Sequence, residues 1–363
     1  MKKTMATINS ANKPEELDLK GLDGPETERW ALEQGLPAYR GRQIRRWIFS
    51  RFAKSFCEMT DLPKRLRSAL EDTVKIRCLE VADVLVSQDG TQKYLFRLKD
   101  GNLIESVLIP DRGHLTLCIS SQVGCAMGCR FCLTGSLGLI RNLEAWEIVD
   151  QVIQVRSRMP DPTKLTNIVL MGMGEPLANY PNVLRAIRNL ISSDGMNFSH
   201  RKVTLSTSGL IPQMTQLGRD LTINLAVSLN AADDETRSLL MPVNNKYPLR
   251  DLIQACREFP LPNRRMITFE YIMIKDVNDS PRDANKLVSL LRNIRAKVNL
   301  IPFNQHDYSE FQPSPMEQIT RFQEALRKRY ITAIVRKSKG PDIMAACGQL
   351  GAGLPLTKQY CST

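Results

Sequence analysis

Long apolar runs are missing from this sequence: nothing approaches the roughly 18 uncharged residues that a membrane-spanning helix requires. The opening Met1-Lys-Lys-Thr-Met-Ala-Thr has no apolar stretch behind it, so no secretory signal is expected and the cytoplasm is the expected location. Histidine is scarce, and His114, His200 and His306 fit no metal-ligand spacing. No low-complexity tract or solenoid repeat is visible. Acidic residues are in deficit, 38 against 50 Lys and Arg, for a formal net charge of +12. That excess favours a polyanionic partner but says nothing about fold. The nine cysteines are an odd number in a chain expected to be cytosolic, which argues for metal ligation or thiol chemistry rather than a disulfide framework.

The 363 residues, 42% of them hydrophobic, suffice for a large α/β domain and a smaller accessory one. Residues 1–14 are polar and aperiodic and are expected to be disordered. Residues 15–78 carry helical patterns. Pro25 opens Glu26–Gln34, which Gly35 closes; Arg42–Ala53 sets Ile44, Trp47, Ile48 and Phe52 on one face; Leu66–Val74 is a third candidate. Between Ala38 and Cys78 there are eleven Lys or Arg against four Asp or Glu, densest in Arg40-Gly-Arg-Gln-Ile-Arg-Arg-Trp47, with Arg51 and Lys54 following. A lone basic run reads as a solvated helix face. Combined with the overall charge and the chemistry below, an RNA contact is the better reading, and Trp47 is either a base-stacking platform or core. Residues 79–111 alternate in polarity around an Asp100-Gly101 turn and read as a β-ribbon extension.

From residue 112 to 351 the rhythm is of short apolar strands alternating with helices. Strands are expected at Leu115–Ser120, Asn167–Met171, Lys202–Ser206, Ile223–Ser228, Met266–Ile274 and Lys297–Pro302, with Ile331–Val335 as a further one. Helices are expected at Glu144–Arg156, Pro181–Ile191, Ile211–Leu217, Glu235–Leu240, Leu249–Glu258, Pro281–Arg295 and Met316–Lys328, and residues 352–363 read as a tail. Repeated βα units imply parallel strands with helices outside, here an open, partial (βα)6 TIM-like barrel of the α/β class. Chemistry in such a barrel sits at the C-terminal ends of the strands.

Just after the first of these strands comes Gly124-Cys125-Ala-Met-Gly-Cys129-Arg-Phe-Cys132, a C-x3-C-x2-C pattern. Thiolates are the soft ligands of iron–sulfur clusters, and a four-iron cluster with only three of them keeps one iron open for a substrate or cofactor. Gly124 and Gly128 let the backbone wrap the sulfurs, and Phe131 would shield them from water. Structural zinc is the competing reading, but it needs four ligands and there is no second C-x2-C pair. The segment Gly172-Met-Gly174-Glu175-Pro176 follows the second strand. Ser206, Ser228 and Asn304 fall at the ends of the third, fourth and sixth. Each alone reads as a turn or cap residue; together at one barrel end they make a plausible nucleoside site. Cys118 and Cys347, taken alone, read as packed core thiols. Cys57, Cys78, Cys256 and Cys361 read as structural or incidental.

A cluster motif of this spacing after the first strand of a βα series resembles the radical S-adenosylmethionine (SAM) superfamily. More closely, Cys118-Ile-Ser-Ser-Gln-Val-Gly-Cys, Met171-Gly-Met-Gly-Glu-Pro-Leu, Leu205-Ser-Thr-Ser-Gly and Ala345-Ala-Cys347-Gly-Gln-Leu resemble the RlmN/Cfr family of RNA adenine methyltransferases, from about Leu17 to Gly351. Pro176 and the Ser-Thr-Ser-Gly segment look like the RlmN branch, which methylates carbon 2 of an adenine in 23S rRNA and in some tRNAs; the other branch methylates carbon 8. Asn230 departs from the histidine many members carry in a Ser-Leu-His segment, and residues 305–315 match nothing.

The resemblance implies one 4Fe-4S cluster on Cys125, Cys129 and Cys132. It implies SAM, two per turnover, bound by Gly174, Glu175, Ser206, Ser228, Leu229, Asn230 and Asn304. It assigns Cys347 as the methyl carrier, Cys118 as the thiol that resolves a covalent RNA adduct through a transient disulfide, and Glu105 as proton acceptor. Expected partners are 23S rRNA, tRNA and an external one-electron reductant, with the protein a monomer. A carbon-8 methyltransferase and a non-catalytic iron–sulfur RNA-binding protein are the alternatives.

Overall fold

The computed structural model describes residues 17–351 apart from residue 112. The N-terminal segment expected to be disordered lies outside the described residues, as does the expected tail with Cys361.

Three helices open the chain: α1 (Gly24–Glu33), α2 (Ala38–Ser50) and α3 (Lys64–Thr73). Asp23 caps α1 in a capping box with Glu26, satisfying two backbone donors at once. The apolar face of α2 buries Ile44, Ile48 and Phe49, with Trp30 and Ala31 of α1 in the same core. Two buried ion pairs fasten this module to the rest of the chain: Lys20 Nζ to Asp150 at 2.6 Å and Arg45 Nε to Asp194 at 2.9 Å. Arg45 was expected to belong to an RNA-facing run. It points inward instead, fully buried, because its place on α2 lies beside Ile44 and Ile48 on the face that packs.

Strands β1 (Glu80–Val86), β2 (Gln92–Arg97) and β3 (Leu103–Asp111) form an antiparallel meander, with Gly101 at φ +84° in the turn between the last two. The ribbon does not stand apart. β3 also pairs antiparallel with β4 (His114–Cys118), so the meander extends the barrel's own sheet. After β4 come a small separate ribbon, β5 (Gln122–Gly124) with β6 (Leu139–Asn142), and the short helix α4 (Leu133–Ser136) between them.

Helices α5 (Ala145–Arg156), α6 (Tyr180–Ile191) and α7 (Ile211–Asp220) then alternate with β7 (Leu165–Leu170), β8 (Val203–Thr207) and β9 (Asn224–Ser228). Two helices, α8 (Asp234–Leu240) and α9 (Leu249–Glu258), lead to β10 (Ile267–Met273). The chain finishes with α10 (Pro281–Leu290), β11 (Ala296–Pro302), α11 (Met316–Arg327) and β12 (Thr332–Val335). The sheet order is β1-β2-β3-β4-β7-β8-β9-β10-β11-β12, parallel from β4 onward and open at both edges. Helix α10 stops short of the expected Arg295 because Asn293 adopts the left-handed region, φ +66°, and turns the chain into β11. No helix among the described residues is long and apolar enough to cross a membrane.

Candidate active site at the barrel mouth

Parallel pairing brings the strand ends level. Cys118 pairs with Val169, Ser206 with Ala226, Ser228 with Glu270, and Glu270 with Asn299. Two grooves of about 860 and 910 Å³ lie elsewhere, lined by residues of α8, α9 and α10 such as Arg250 and Lys286, and contain no cysteine.

The cluster loop follows β5. Gly124 has φ +75°, and a Cβ there would stand 1.9 Å from the Gly138 carbonyl oxygen, which accepts the Cys125 N–H at 2.8 Å. Only glycine permits that approach. The Cys132 N–H donates to the Cys129 carbonyl at 3.0 Å, tightening the second half of the loop. Phe131 is buried among Leu240, Met241, Val243, Ile272 and Phe303. Burial pushes the Cys125 thiol up to about 12 and raises Cys129 and Cys132 as well, with mutual repulsion adding to it for Cys125 and Cys129. Three thiols so placed become thiolates only against a bound cation. Among the described residues no three His, Cys, Asp or Glu side chains converge to hold a single metal ion. The thiolates of a cubane bind different irons, so three thiols in one loop suit a cluster, whereas structural zinc takes four protein ligands.

Around this loop lie the residues expected to hold SAM. Gly174, φ +98°, packs so close to Gln122 that a Cβ would meet its side chain at 2.5 Å, and Gln122 accepts the Glu175 N–H at 2.8 Å. Glu175 is buried, its carboxylate accepting from Leu177 N–H at 3.0 Å and Ser208 N–H at 2.7 Å. Burial raises its pKa while these two donors oppose the rise. Leu229 is fully buried, and Asn230 sits at φ +58°. The Asn230 amide accepts from Ile272 N–H at 2.9 Å and donates to Met241 Sδ at 3.3 Å, so it ties β9 to β10. Asparagine tolerates the left-handed region that this link requires.

The segment carrying Cys347 closes the mouth. Leu133 N–H donates to the Gly348 carbonyl and Thr134 Oγ1 to the Leu350 carbonyl, so the segment lies on the cluster loop. Asn304 Nδ2 donates to the Cys347 carbonyl at 3.0 Å and is itself held by Ser338. Glu105 lies buried on β3, its carboxylate paired with Lys93 Nζ at 3.0 Å and accepting the Gly351 N–H. Cys347 is exposed to solvent, yet surrounding protein and Glu270 push its thiol up to about 11, against the pull of Arg336. Cys118 is buried and near enough for the charge on Cys347 to raise its pKa further.

Several residues here were not singled out from sequence. Residues 305–315 cover the cluster loop: Gln305 accepts from Gln349, Arg130 pairs with Glu310, and His306 Nε2 lies 3.4 Å from the Phe131 carbonyl. Glu270, buried on β10 level with the end of β9 and bonded to Asn299 at 2.9 Å, and Arg237 of α8, both face this region from inside the fold. Glu270 is signalled only as a charge inside the apolar run Ile267–Met273, and Arg237 carries no signal, since Asp234 and Glu235 share its helix.

Comparison with known proteins agrees with this geometry. Residues 119–288 match the Radical SAM superfamily, and residues 17–76 match the ribosomal RNA large subunit methyltransferase N-terminal domain. The chain is 53% identical over 342 residues to the dual-specificity RNA methyltransferase RlmN of Geobacter sulfurreducens, covering 94% of each chain. It is 54% identical over 334 residues to the RlmN of Syntrophobacter fumaroxidans, covering 92% of this chain and 98% of that one. A radical SAM methyltransferase from Sphaerobacter thermophilus has a crystal structure that superposes with a TM-score of 0.87 at 45% identity, over 92% of this chain and 99% of the other. The chain belongs to the RlmN family of radical SAM RNA methyltransferases.

Proposed function

We propose that the enzyme methylates carbon 2 of adenine in 23S rRNA, at the peptidyl-transferase centre, and in tRNA, at the adenine 3′ of the anticodon. It works as a monomer with an external one-electron reductant and two SAM per turnover. The observation that carries the reading is the docking of the Cys347 segment on the cluster loop, with Cys118 beside it. Carbon 2 has no nucleophilic lone pair, so a methyl group cannot reach it by simple displacement, and a protein-borne carrier activated to a radical solves that problem. When bound, the cluster and SAM supply the methyl group and the one-electron chemistry that activates it.

Cys125, Cys129 and Cys132 would hold the cluster, and Gly174, Glu175, Ser206, Ser228, Leu229, Asn230 and Asn304 would bind SAM. Cys347 takes the methyl as a thiolate. Arg336 favours that ionisation, and protonation of Glu270, whose pKa burial lifts to about 7, removes the charge opposing it. Glu105 receives the proton from carbon 2 once the Gly351 N–H has released it. Once the odd electron of the adduct has passed to the external one-electron carrier, the Cys118 thiolate attacks the Cys347 sulfur, the sulfur–carbon bond breaks with its electron pair on the methylene carbon, which takes up a proton to complete the methyl group, and a Cys118–Cys347 disulfide remains for an external thiol to reduce.

The test is anaerobic reconstitution followed by methyl transfer from labelled SAM to protein-free rRNA and tRNA transcripts, read by mass spectrometry after nuclease digestion. 2-Methyladenosine is the expected product. 8-Methyladenosine would move the enzyme to the other branch. An iron-loaded protein that forms no 5′-deoxyadenosine from SAM and reductant would be a binding protein instead.

A further inference from the structure

Four cations are buried among the described residues: Lys20, Arg45, Lys93 and Arg237. Three have carboxylate partners: Lys20 on Asp150, Arg45 on Asp194, Lys93 on Glu105. Arg237 has none within ion-pair distance among the described residues, although it is fully buried. Its guanidinium donates only to neutral oxygens: Nη2 to the Ser208 carbonyl at 2.7 Å and the Ser228 carbonyl at 3.3 Å, Nε to the Leu229 carbonyl at 3.2 Å, and Nη1 to Asn244 Oδ1 at 2.9 Å. These bonds fix the charge in place without neutralising it. A buried charge left without an opposite one is heavily disfavoured, so a fold that keeps one has a counter-charge somewhere near.

The surroundings say where. Arg237 lies on α8, whose last carbonyl, Leu240, accepts the N–H of Arg130 in the cluster loop at 3.0 Å. The turn after α8 puts Pro242 against Gly128 of the same loop, and Leu240, Met241 and Val243 share an apolar cluster with Phe131. Cys129 comes first among the groups whose negative charge would favour the charged guanidinium, ahead of Asp234, which Asn244 separates from Arg237 by accepting from Nη1 and donating to the Asp234 carboxylate.

We propose that Arg237 is the fixed counter-charge of the iron–sulfur cluster, a positioning residue that makes one-electron reduction of the cluster more favourable. The inference rests on the cluster reading above. Three thiolates and a four-iron core in its oxidised resting form carry net negative charge, and reduction adds one more unit. A fixed cation across a dry, low-dielectric gap stabilises the reduced form more than the oxidised one. Three of these bonds hold the carbonyls at the ends of β8 and β9, so one side chain sets both the cluster's potential and the frame of the adjoining pocket.

The test is an anaerobic redox titration of the reconstituted full-length protein, followed by electron paramagnetic resonance, without SAM or RNA. Arg237→Gln should bind as much iron as the unsubstituted protein and have a lower midpoint potential. A tenfold shift of the reduction equilibrium towards the oxidised form corresponds to about 59 mV for one electron. Arg237→Lys, which keeps the charge, should stay within roughly threefold of the parent on the same scale. An iron-loaded Arg237→Gln protein with the parental potential would overturn the proposal. So would an Arg237→Lys protein that falls tenfold, and this second variant decides the matter alone if the first does not fold. Failure of the unsubstituted protein to take up iron is a different result, and rejects the cluster reading itself.

Discussion

The backbone N–H of Leu133, one residue beyond the last cluster cysteine, donates to the carbonyl of Gly348, one residue beyond Cys347, at 2.8 Å. One hydrogen bond therefore registers the loop of Cys125, Cys129 and Cys132 against the segment that carries Cys347, although more than two hundred residues separate them in the chain. Cys347→Ala leaves this backbone contact intact. It should retain the full iron content of the parent and give no methylated RNA, measured as iron per chain and label transferred from SAM. Cys118→Ala should differ in kind, halting after attack on the base, so that RNA accumulates covalently bound to protein and appears as a retarded band on a denaturing gel.

Gly124 and Gly128 both have positive φ, +75° and +63°, but only one is hemmed in. A Cβ at Gly124 meets the Gly138 oxygen at 1.9 Å, whereas at Gly128 the nearest atom is 3.8 Å away. Gly124→Ala should lose roughly half or more of the cluster iron because the loop must open. Gly128→Ala carries only the backbone strain of about 1 kcal/mol and should load normally. Iron and sulfide analysis after identical reconstitution separates them.

Arg45 and Arg46 are neighbours with opposite fates. Arg45 is buried on Asp194, while Arg46 and Lys54 face solvent. Removing Arg45 strands a partly buried carboxylate and should lower unfolding free energy by about 3 kcal/mol in urea, with the salt dependence of RNA binding unchanged. Replacing Arg46 and Lys54 together by Ala should leave stability alone and reduce the slope of log affinity against log salt by about 2.

Glu270 gives the pH dependence. Burial lifts its pKa from the usual 4.5 to about 7, so the folded state binds a proton that the unfolded state has already released. Its contribution is fully present below pH 4.5 and is lost as pH rises through about 7. Glu270→Gln, which cannot ionise, should match the parent near pH 4.5 and exceed it by about 3 kcal/mol at pH 8. Urea midpoints at the two pH values check the sign.

The rhythm of β4 and of β7 to β12 with their helices was readable because each element is short, apolar on its buried side and bounded by turn residues, whereas the small ribbon of β5 and β6 and the helix α4 between them give no such pattern. The loop of Cys125, Cys129 and Cys132 stands out in the sequence because three thiols among glycines have few other uses. What could not be read was direction and partnership. Nothing local tells Arg45 from Arg46, since Asp194 is supplied by a distant part of the chain. Residues 305–315 show no motif because their role is to cover, through Gln305, His306 and Glu310, surfaces made by other segments. Arg237 reads as a helix surface charge until α8 is seen to lie against β8, β9 and the cluster loop. Asn230 looks like a departure from pattern, and its amide turns out to tie two strands together.

The meander holds the Cys347 segment at four points: Ser87 on Asp342, Asp89 on the Gly340 N–H, Lys93 on the Met344 carbonyl and Glu105 on the Gly351 N–H. The grip joins portions of the polypeptide about 250 residues apart, so during synthesis on the ribosome the early sheet waits for its stopper. Until those residues are made, the loop of Cys125, Cys129 and Cys132 lacks the contacts that Gly348 and Leu350 give it through Leu133 and Thr134.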